Sequence, residues 1–332
     1  MKKTIPLLTL LFLSIGCHNA ENREKDKVIS QRYIHKYGYD VSKSEWETSH
    51  CPGQVITSMK NGVTVTASYE NGILHGPTTY TFPHSNTRQS LEVYEEGALI
   101  KKVTYTLRGL PLEEELYLSS NRSKVTQWFA AGTPISIELY ESGKLIEGEY
   151  RNPLNENISR VIKGDGVRLI RNQEEKMVAK ETYKDGVIVH RTTFYENGSP
   201  YCQMDISNGL LNGTKRVFAS SGDPLSIETY TNNILNGPAI YFQNGSRYLE
   251  VSYHEGLKQG VERHFIDGET VIQEIEWSDG KLHGATIVYA DGISKTQWFY
   301  NNEKVSHQKY NSLCEQAQTI AIMNERARSH SY

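Results

Sequence analysis

The chain has 332 residues, with 36 lysines and arginines against 39 aspartates and glutamates, for a formal net charge of -3. Neither sign dominates, which excludes the basic footprint of a nucleic-acid binder. Hydrophobic residues make up 37% and are spread evenly in short stretches, too thin for a thick globular core; tyrosine, with 21 copies, is the most frequent aromatic.

At the N-terminus, Met1-Lys2-Lys3 precede an apolar run from Leu7 to Ile15 and then Gly16-Cys17. This is the three-part layout of an export signal and predicts removal of residues 1–16. Leu13-Ser14-Ile15-Gly16-Cys17 resembles a lipoprotein cleavage box, in which the cysteine receives a diacylglyceryl group and becomes the new N-terminus. Cys17 is therefore the expected lipid-attachment site, and the mature chain is expected on the cell membrane or outer membrane. The leucine stands four residues before the cysteine instead of three, so the box is relaxed, and ordinary cleavage near Ala20 is the alternative. The run is shorter than the ~20 apolar residues of a membrane-spanning helix. With Cys17 consumed, Cys51, Cys202 and Cys314 remain, without a CxxC pair or zinc-ligand spacing. No disulfide framework is expected; a single bridge between the flanks stays open.

Residues 17–50 read as tether and N-terminal cap. His18 to Lys27 is polar and charged, as a tether would be. Val28, Ile29, Tyr33, Ile34 and Tyr37 recur at helical spacing in a charged segment ending at Gly38, which predicts a helical cap.

From 51 to 310 the chain repeats with a period of about 23 residues, the signature of a repeat architecture. One series of turns falls at Gly72, Gly97, Ser120, Gly143, Gly164, Gly186, Gly209, Asn233, Gly256, Gly280 and Asn302. A second falls at Gly62, Asn86, Gly109 and Gly132, degrades, and resumes at Gly198, Gly222, Gly245, Gly268 and Gly292. Pairs such as Asn71-Gly72, Asp185-Gly186, Asn208-Gly209 and Asp279-Gly280 tolerate positive φ and reverse a strand tightly. Several repeats carry a second glycine four residues on, at Gly76, Gly213, Gly237, Gly260 and Gly284. The segments between turns alternate like half-buried strands, as in Ile135-Ser136-Ile137-Glu138-Leu139. Their phase against the aromatic anchor varies, so bulges are expected at positions the sequence does not fix. The predicted fold class is all-β: an elongated single antiparallel sheet of about ten stacked β-hairpins, roughly 100 Å long. The poorly anchored stretch from Arg151 to Lys176 is where that sheet is expected to bend. Residues 311–332 read as a C-terminal helical cap or tail, with Ile320 and Met323 on one side of a helix from Leu313 to Arg328.

Tyr69 to Gly76, Tyr183-Lys184-Asp185-Gly186, Tyr253 to Gly260 and Trp277 to Gly284 resemble MORN-type repeats, in the variant form of the bacterial YwqK family often labelled as antitoxins. Ser120, Lys101 and His190 depart from the glycine pattern, and Gly143 to Gly148 is one residue too long. The resemblance implies a rod or plate of hairpins that serves as an interaction surface, with no catalytic residues.

No catalytic motif competes with that reading. Gly164-Asp165-Gly166 lacks the further glycine and helix of a phosphate loop, and there is no Gly-x-Ser-x-Gly elbow, HExxH or EF-hand loop. His75 and His283 are equivalent in two repeats, but Lys101, Glu147, His190, Asn212, Asn236 and Gln259 stand at the equivalent places between them, so the position reads as a solvated turn and no metal is expected. Sequons such as Asn197-Gly198-Ser199 coincide with turns and are explained by turn chemistry. The anchors Tyr69, Tyr94, Tyr117, Tyr140, Tyr183, Tyr230, Tyr253 and Trp277 form either a cross-strand ladder or a ligand platform. The expected function is a non-enzymatic envelope lipoprotein acting as a repeat scaffold, without cofactor or nucleic acid, held to the membrane through Cys17 and binding a protein partner. The alternatives are lipid-head-group binding by the repeats, or an enzyme with an unrecognised site.

Overall fold

A computed structural model of the chain describes residues 27–329 apart from 173, so Cys17 and the export signal lie outside the described residues. The described chain is predominantly β and falls into two compact units, one up to Ser120 and one from Asn121.

In the first unit, β1 (Val28–His35), β2 (Asp40–Val41), β3 (Gly53–Met59), β4 (Thr64–Glu70), β5 (Ile73–Thr81), β6 (Arg88–Glu95), β7 (Ala98–Tyr105) and β8 (Pro111–Ser119) make one antiparallel meander. The order follows the chain, except that β1 lies between β2 and β3. In the second unit the strands from β9 (Arg122–Trp128) to β26 (Glu303–Val305) pair in chain order, except that β20 (Ser246–His254) pairs both with the two-residue β21 (Leu257–Lys258) and with β22 (Gly260–Ile266). Consecutive antiparallel pairing is what tight turns alternating with strand-length segments produce.

The N-terminal flank corrects the helical expectation. Residues 28–35 are strand β1, paired along its length with β3, with Tyr33 opposite Val55 and Ile34 opposite Gln54. The apolar spacing suited a helix, but the free edge of β3 offers a full ladder of backbone hydrogen bonds, and that outweighs local periodicity. The short helix α1 (Lys43–Ser49), capped by the Ser42 hydroxyl accepting from the Glu45 N–H, covers a sheet face rather than an edge. Its Trp46 packs against Cys51, Val55, Tyr33 and Tyr69.

Bulges occur at regular places. Register slips immediately before the aromatic anchor in repeat after repeat, at Ala67/Tyr69, Val93/Tyr94, Leu139/Tyr140, Thr182/Tyr183, Glu228/Tyr230 and Ile275/Trp277. The extra residue falls on the strand after the anchor, Ile100 after Tyr94 and Ile146 after Tyr140, so the apolar phase before the anchor differs for another reason: two residues before it stands buried Glu138 in one repeat and buried Val251 in another.

The two turn series also differ. Turns of the first are two-residue reversals with both residues at positive φ, such as Asn71 (51°) with Gly72 (77°) and Asp279 (49°) with Gly280 (74°). In the second, three-residue loops end in one left-handed residue, as at Gly132 and Gly198, until Asn244-Gly245, where this edge adopts the two-residue form too; the turn expected at Asn86 is instead a four-residue loop, 83–86, with its left-handed residue at His84 (56°). Through the stretch that looked degraded, Asn155 (64°) and Glu175 (68°) hold the left-handed place without glycine. That stretch adjoins the best-buried part of the second unit, where Leu145, Tyr150 and Val161 are each 1% exposed.

Successive first-series turns are tied to each other. The backbone N–H of Gly97 donates to the Leu74 carbonyl, Asn233 to Leu211, Gly256 to Leu235, Gly280 to Lys258 and Asn302 to Leu282, at 2.8–2.9 Å. These bonds satisfy turn amides and pin each hairpin to the one before it.

The C-terminal helix α2 (His307–Ser329) begins earlier than the sequence suggested, with Ser306 capping its first turn. His307 stacks on Trp298 and Tyr310 lies against Trp298 and Tyr300, so the first turns cover β25 (Ile293–Tyr300). Farther on, Ile320, Ile322 and Met323 are exposed. Among the described residues no helix is long and apolar enough to cross a membrane.

Candidate functional site

In each unit anchor tyrosines are coupled to carboxylates on the same sheet face. In a strand, residues two apart share a face, and the residue two before the anchor is Glu92, Glu115, Glu138, Glu181 or Glu228. The hydroxyls of Tyr94, Tyr117, Tyr140, Tyr183 and Tyr230 donate to these carboxylates at 2.7–3.2 Å. Burial, reinforced by the carboxylate beside each, pushes the Tyr94, Tyr117 and Tyr183 hydroxyls up to about 12.

In the second unit the carboxylates form a buried network with arginines. Glu138 is 2% exposed and accepts from Tyr140, from Tyr150 at 2.9 Å and from two guanidinium nitrogens of Arg168 at 2.7 and 3.0 Å. Arg168 also reaches Glu181, 3% exposed, which Arg191 contacts at 2.9 Å. Burial alone would favour neutral Arg168; the adjacent Glu138 outweighs it and holds the guanidinium charged. The order Arg168, Glu181, Arg191, Met204, Lys215, Glu228 follows the cross-strand pairing, so opposite charges sit on neighbouring strands. Both oxygens of Glu138 and of Glu181 are thus engaged by tyrosine hydroxyls or guanidinium groups, as a satisfied buried network requires. These five tyrosines bond to a carboxylate of their own strand, a pairing that the sequence carries as Glu-x-Tyr at 92/94, 115/117, 138/140, 181/183 and 228/230 and that the tyrosine spacing alone did not reveal.

A second repeated feature lies on the first-series turn edge. The residue after each turn is exposed and often apolar: Val187 (44%), Leu210 (37%), Ile234 (51%) and Leu257 (49%) occupy four consecutive repeats of the second unit. Ile234 leans over the turn at Gly256 and Leu257 over that at Gly280. Strands lie ~4.8 Å apart, so the four side chains are spaced ~10 Å and span ~30 Å.

The remaining sequence-predicted positions distribute as follows. Cys17 lies outside the described residues. Gly72, Gly186, Gly209, Gly256 and Gly280 close first-series turns, and Gly76, Gly213, Gly237, Gly260 and Gly284 sit four residues on, all at positive φ. At Gly284 (122°) a Cβ would come within 2.7 Å of the Glu276 Cβ, so there the strands approach too closely for a side chain. His75 lies 3.6 Å from Glu70, whereas His283 packs between Tyr300 and Tyr310 beneath α2 and is not a merely solvated turn residue. Cys51, Cys202 and Cys314 are free thiols, and no cluster of metal-ligating residues occurs among the described residues.

No protein-family model matches this chain, and comparison with curated proteins finds no relative. Among solved structures, BamB from Moraxella catarrhalis is 10% identical over 74% of this chain and 82% of its own, with a TM-score of 0.15. A porin-like protein from Bacteroides uniformis is 11% identical over 80% of this chain and 92% of its own, also at 0.15. Similarity at that level carries no information on activity.

Proposed function

We propose that the mature chain is a lipid-anchored, non-enzymatic scaffold of the cell envelope that binds a protein partner along successive repeats, the role its resemblance to MORN-type repeats implies. The observation that supports this reading is the row Val187, Leu210, Ile234 and Leu257, exposed at one position per repeat. A row of aligned apolar side chains suits an extended partner, which gains affinity from a few anchors among many weak contacts. The buried carboxylates of the opposite-charge network are already occupied by tyrosines and arginines, so the same face offers a catalytic reading little to work with. Cross-linked capture from envelope fractions should yield a defined partner with the wild-type chain and lose it with Leu210→Asp/Ile234→Asp, circular dichroism being unchanged. Equal capture by both proteins would remove the turn edge from consideration, and turnover of a substrate would overturn the scaffold reading.

A further inference from the structure

The first unit carries a largely apolar trough away from the first-series turn edge, and the hydroxyl of its Tyr80 donates to Glu92, the partner of Tyr94, at 3.3 Å. The trough has a volume of about 650 Å³ and runs from β3 to β8 along the second-series turn end. Its floor is set by register: Val65 pairs with Tyr80, Tyr80 with Ser90 and Ser90 with Thr104, so these side chains share one face. Met59, Val63, Phe82 and Leu112 make the lining mainly apolar, with Asn61 and Gln89 as uncharged polar members. Lys102, the charged residue of the lining, is turned to Glu92 at 3.6 Å and brings no unpaired charge into the trough.

The described chain starts at the rim of this trough. The Lys27 carbonyl accepts from the Lys60 N–H at 2.9 Å, and Lys60 lies between the lining residues Met59 and Asn61. Nine residues, His18 to Asp26, separate Lys27 from the cysteine of the lipoprotein box, or ten chain steps. Fully extended they reach at most ~36 Å, so a group on Cys17 is tethered within reach of the whole trough. From β3 to β8 there are five strand spacings, or ~24 Å. A single acyl chain spans half of a ~30 Å hydrocarbon core, or ~15 Å. The volume also falls within the range of ~300–1,000 Å³ usual for small-ligand sites.

We propose that this trough holds one acyl chain of the lipid borne by Cys17 of the same molecule. The inference rests on the lipoprotein reading above and extends it: the first unit shields part of its own anchor, so that fewer chains enter the bilayer than Cys17 carries. A mainly apolar lining, absence of an unpaired charge in it and a tether beginning at its rim select this occupant over a charged peptide.

The test feeds cells expressing the full-length protein a fatty acid carrying a photoactivatable diazirine, irradiates the envelopes, and maps the adducts by mass spectrometry. The expected result is label on the peptide beginning at Cys17 together with cross-links to residues 59–65, 80–90 or 104–112. Val65→Trp, which fills the floor, should lower those cross-links several-fold while leaving the label on Cys17. Should Val65→Trp unfold the first unit, Gln89→Trp on the rim serves the same purpose. Label on Cys17 with cross-links only to bilayer lipid or to residues 121–329 would overturn the trough and leave the anchor standing. No label on Cys17 would overturn the anchor, and the trough's occupant with it.

Discussion

Arg168 holds two carboxylates that are almost wholly removed from water, Glu138 and Glu181. A buried pair of this kind adds little net stability over an apolar replacement, yet removing one partner strands the other's charge at a cost of about 3–5 kcal/mol. Arg168→Met is therefore expected to destabilise the second unit by an amount in that range, read as a lowered urea midpoint. Adding Glu138→Gln should recover part of the loss, and a double-mutant cycle would show the coupling. The tyrosines give a separate signature at high pH. Tyr183 titrates near 10 in an unfolded chain and is pushed up to about 12 in the folded one, by burial first and by Glu181 second. Between those values the unfolded chain releases protons that the folded chain keeps, so stability present below pH 10 is lost as the pH rises toward 12. Urea midpoints measured from pH 9 to 12 should fall, and Tyr183→Phe should flatten the fall; a flat wild-type profile would contradict the buried-hydroxyl geometry.

At the scale of the hairpin, the turn-to-turn bonds and the Glu-Tyr ladder make each period interchangeable with the next. Deleting Tyr230 to Ser252 removes one 23-residue period and joins Thr229 to Tyr253, the anchor of the following repeat. Strand direction, face and turn edge are all preserved, so a folded β-protein of lower stability is expected. Deleting Tyr230 to Tyr241 removes about one strand and reverses the direction of every later one, moving the first-series turns to the opposite edge. Their amides then lose the partners seen at Asn233, Gly256 and Gly280, and the ladder is expected to break. Equal loss of β-signal and cooperativity in the two deletions would refute stacking by period. Asn-Gly and Asp-Gly pairs made these turns readable from sequence because their backbone geometry is local. The left-handed Glu175 was not readable, since glutamate carries no turn preference and is held there by its flanking strands. Nor was β1, whose apolar spacing suits either helix or strand until the edge of β3 decides it. The charged network was half readable: Glu-x-Tyr is periodic, but Arg168 meets Glu138 across 30 positions of sequence.

For the whole molecule, the two units call for different things from the anchor. The proposed partner would dock on the row of the second unit, and the proposed acyl chain would fill the trough of the first. Both proposals depend on Cys17, where the expected export signal meets a cysteine directly after Gly16. A single lipid chain binds a bilayer only marginally, and stable anchoring takes more than one. If one chain of the anchor is withdrawn into the trough, the protein should leave membranes more readily than its lipid content implies, and Val65→Trp should tighten its retention. Cys17→Ala should abolish fatty-acid labelling and move the protein to the soluble fraction, with circular dichroism unchanged because the described fold begins ten residues later. Carbonate extraction of envelopes from the three strains ranks them: Cys17→Ala released first, wild type next, Val65→Trp last. Equal retention of wild type and Val65→Trp would mean that every acyl chain already lies in the bilayer, and release of wild type together with Cys17→Ala would mean that none does.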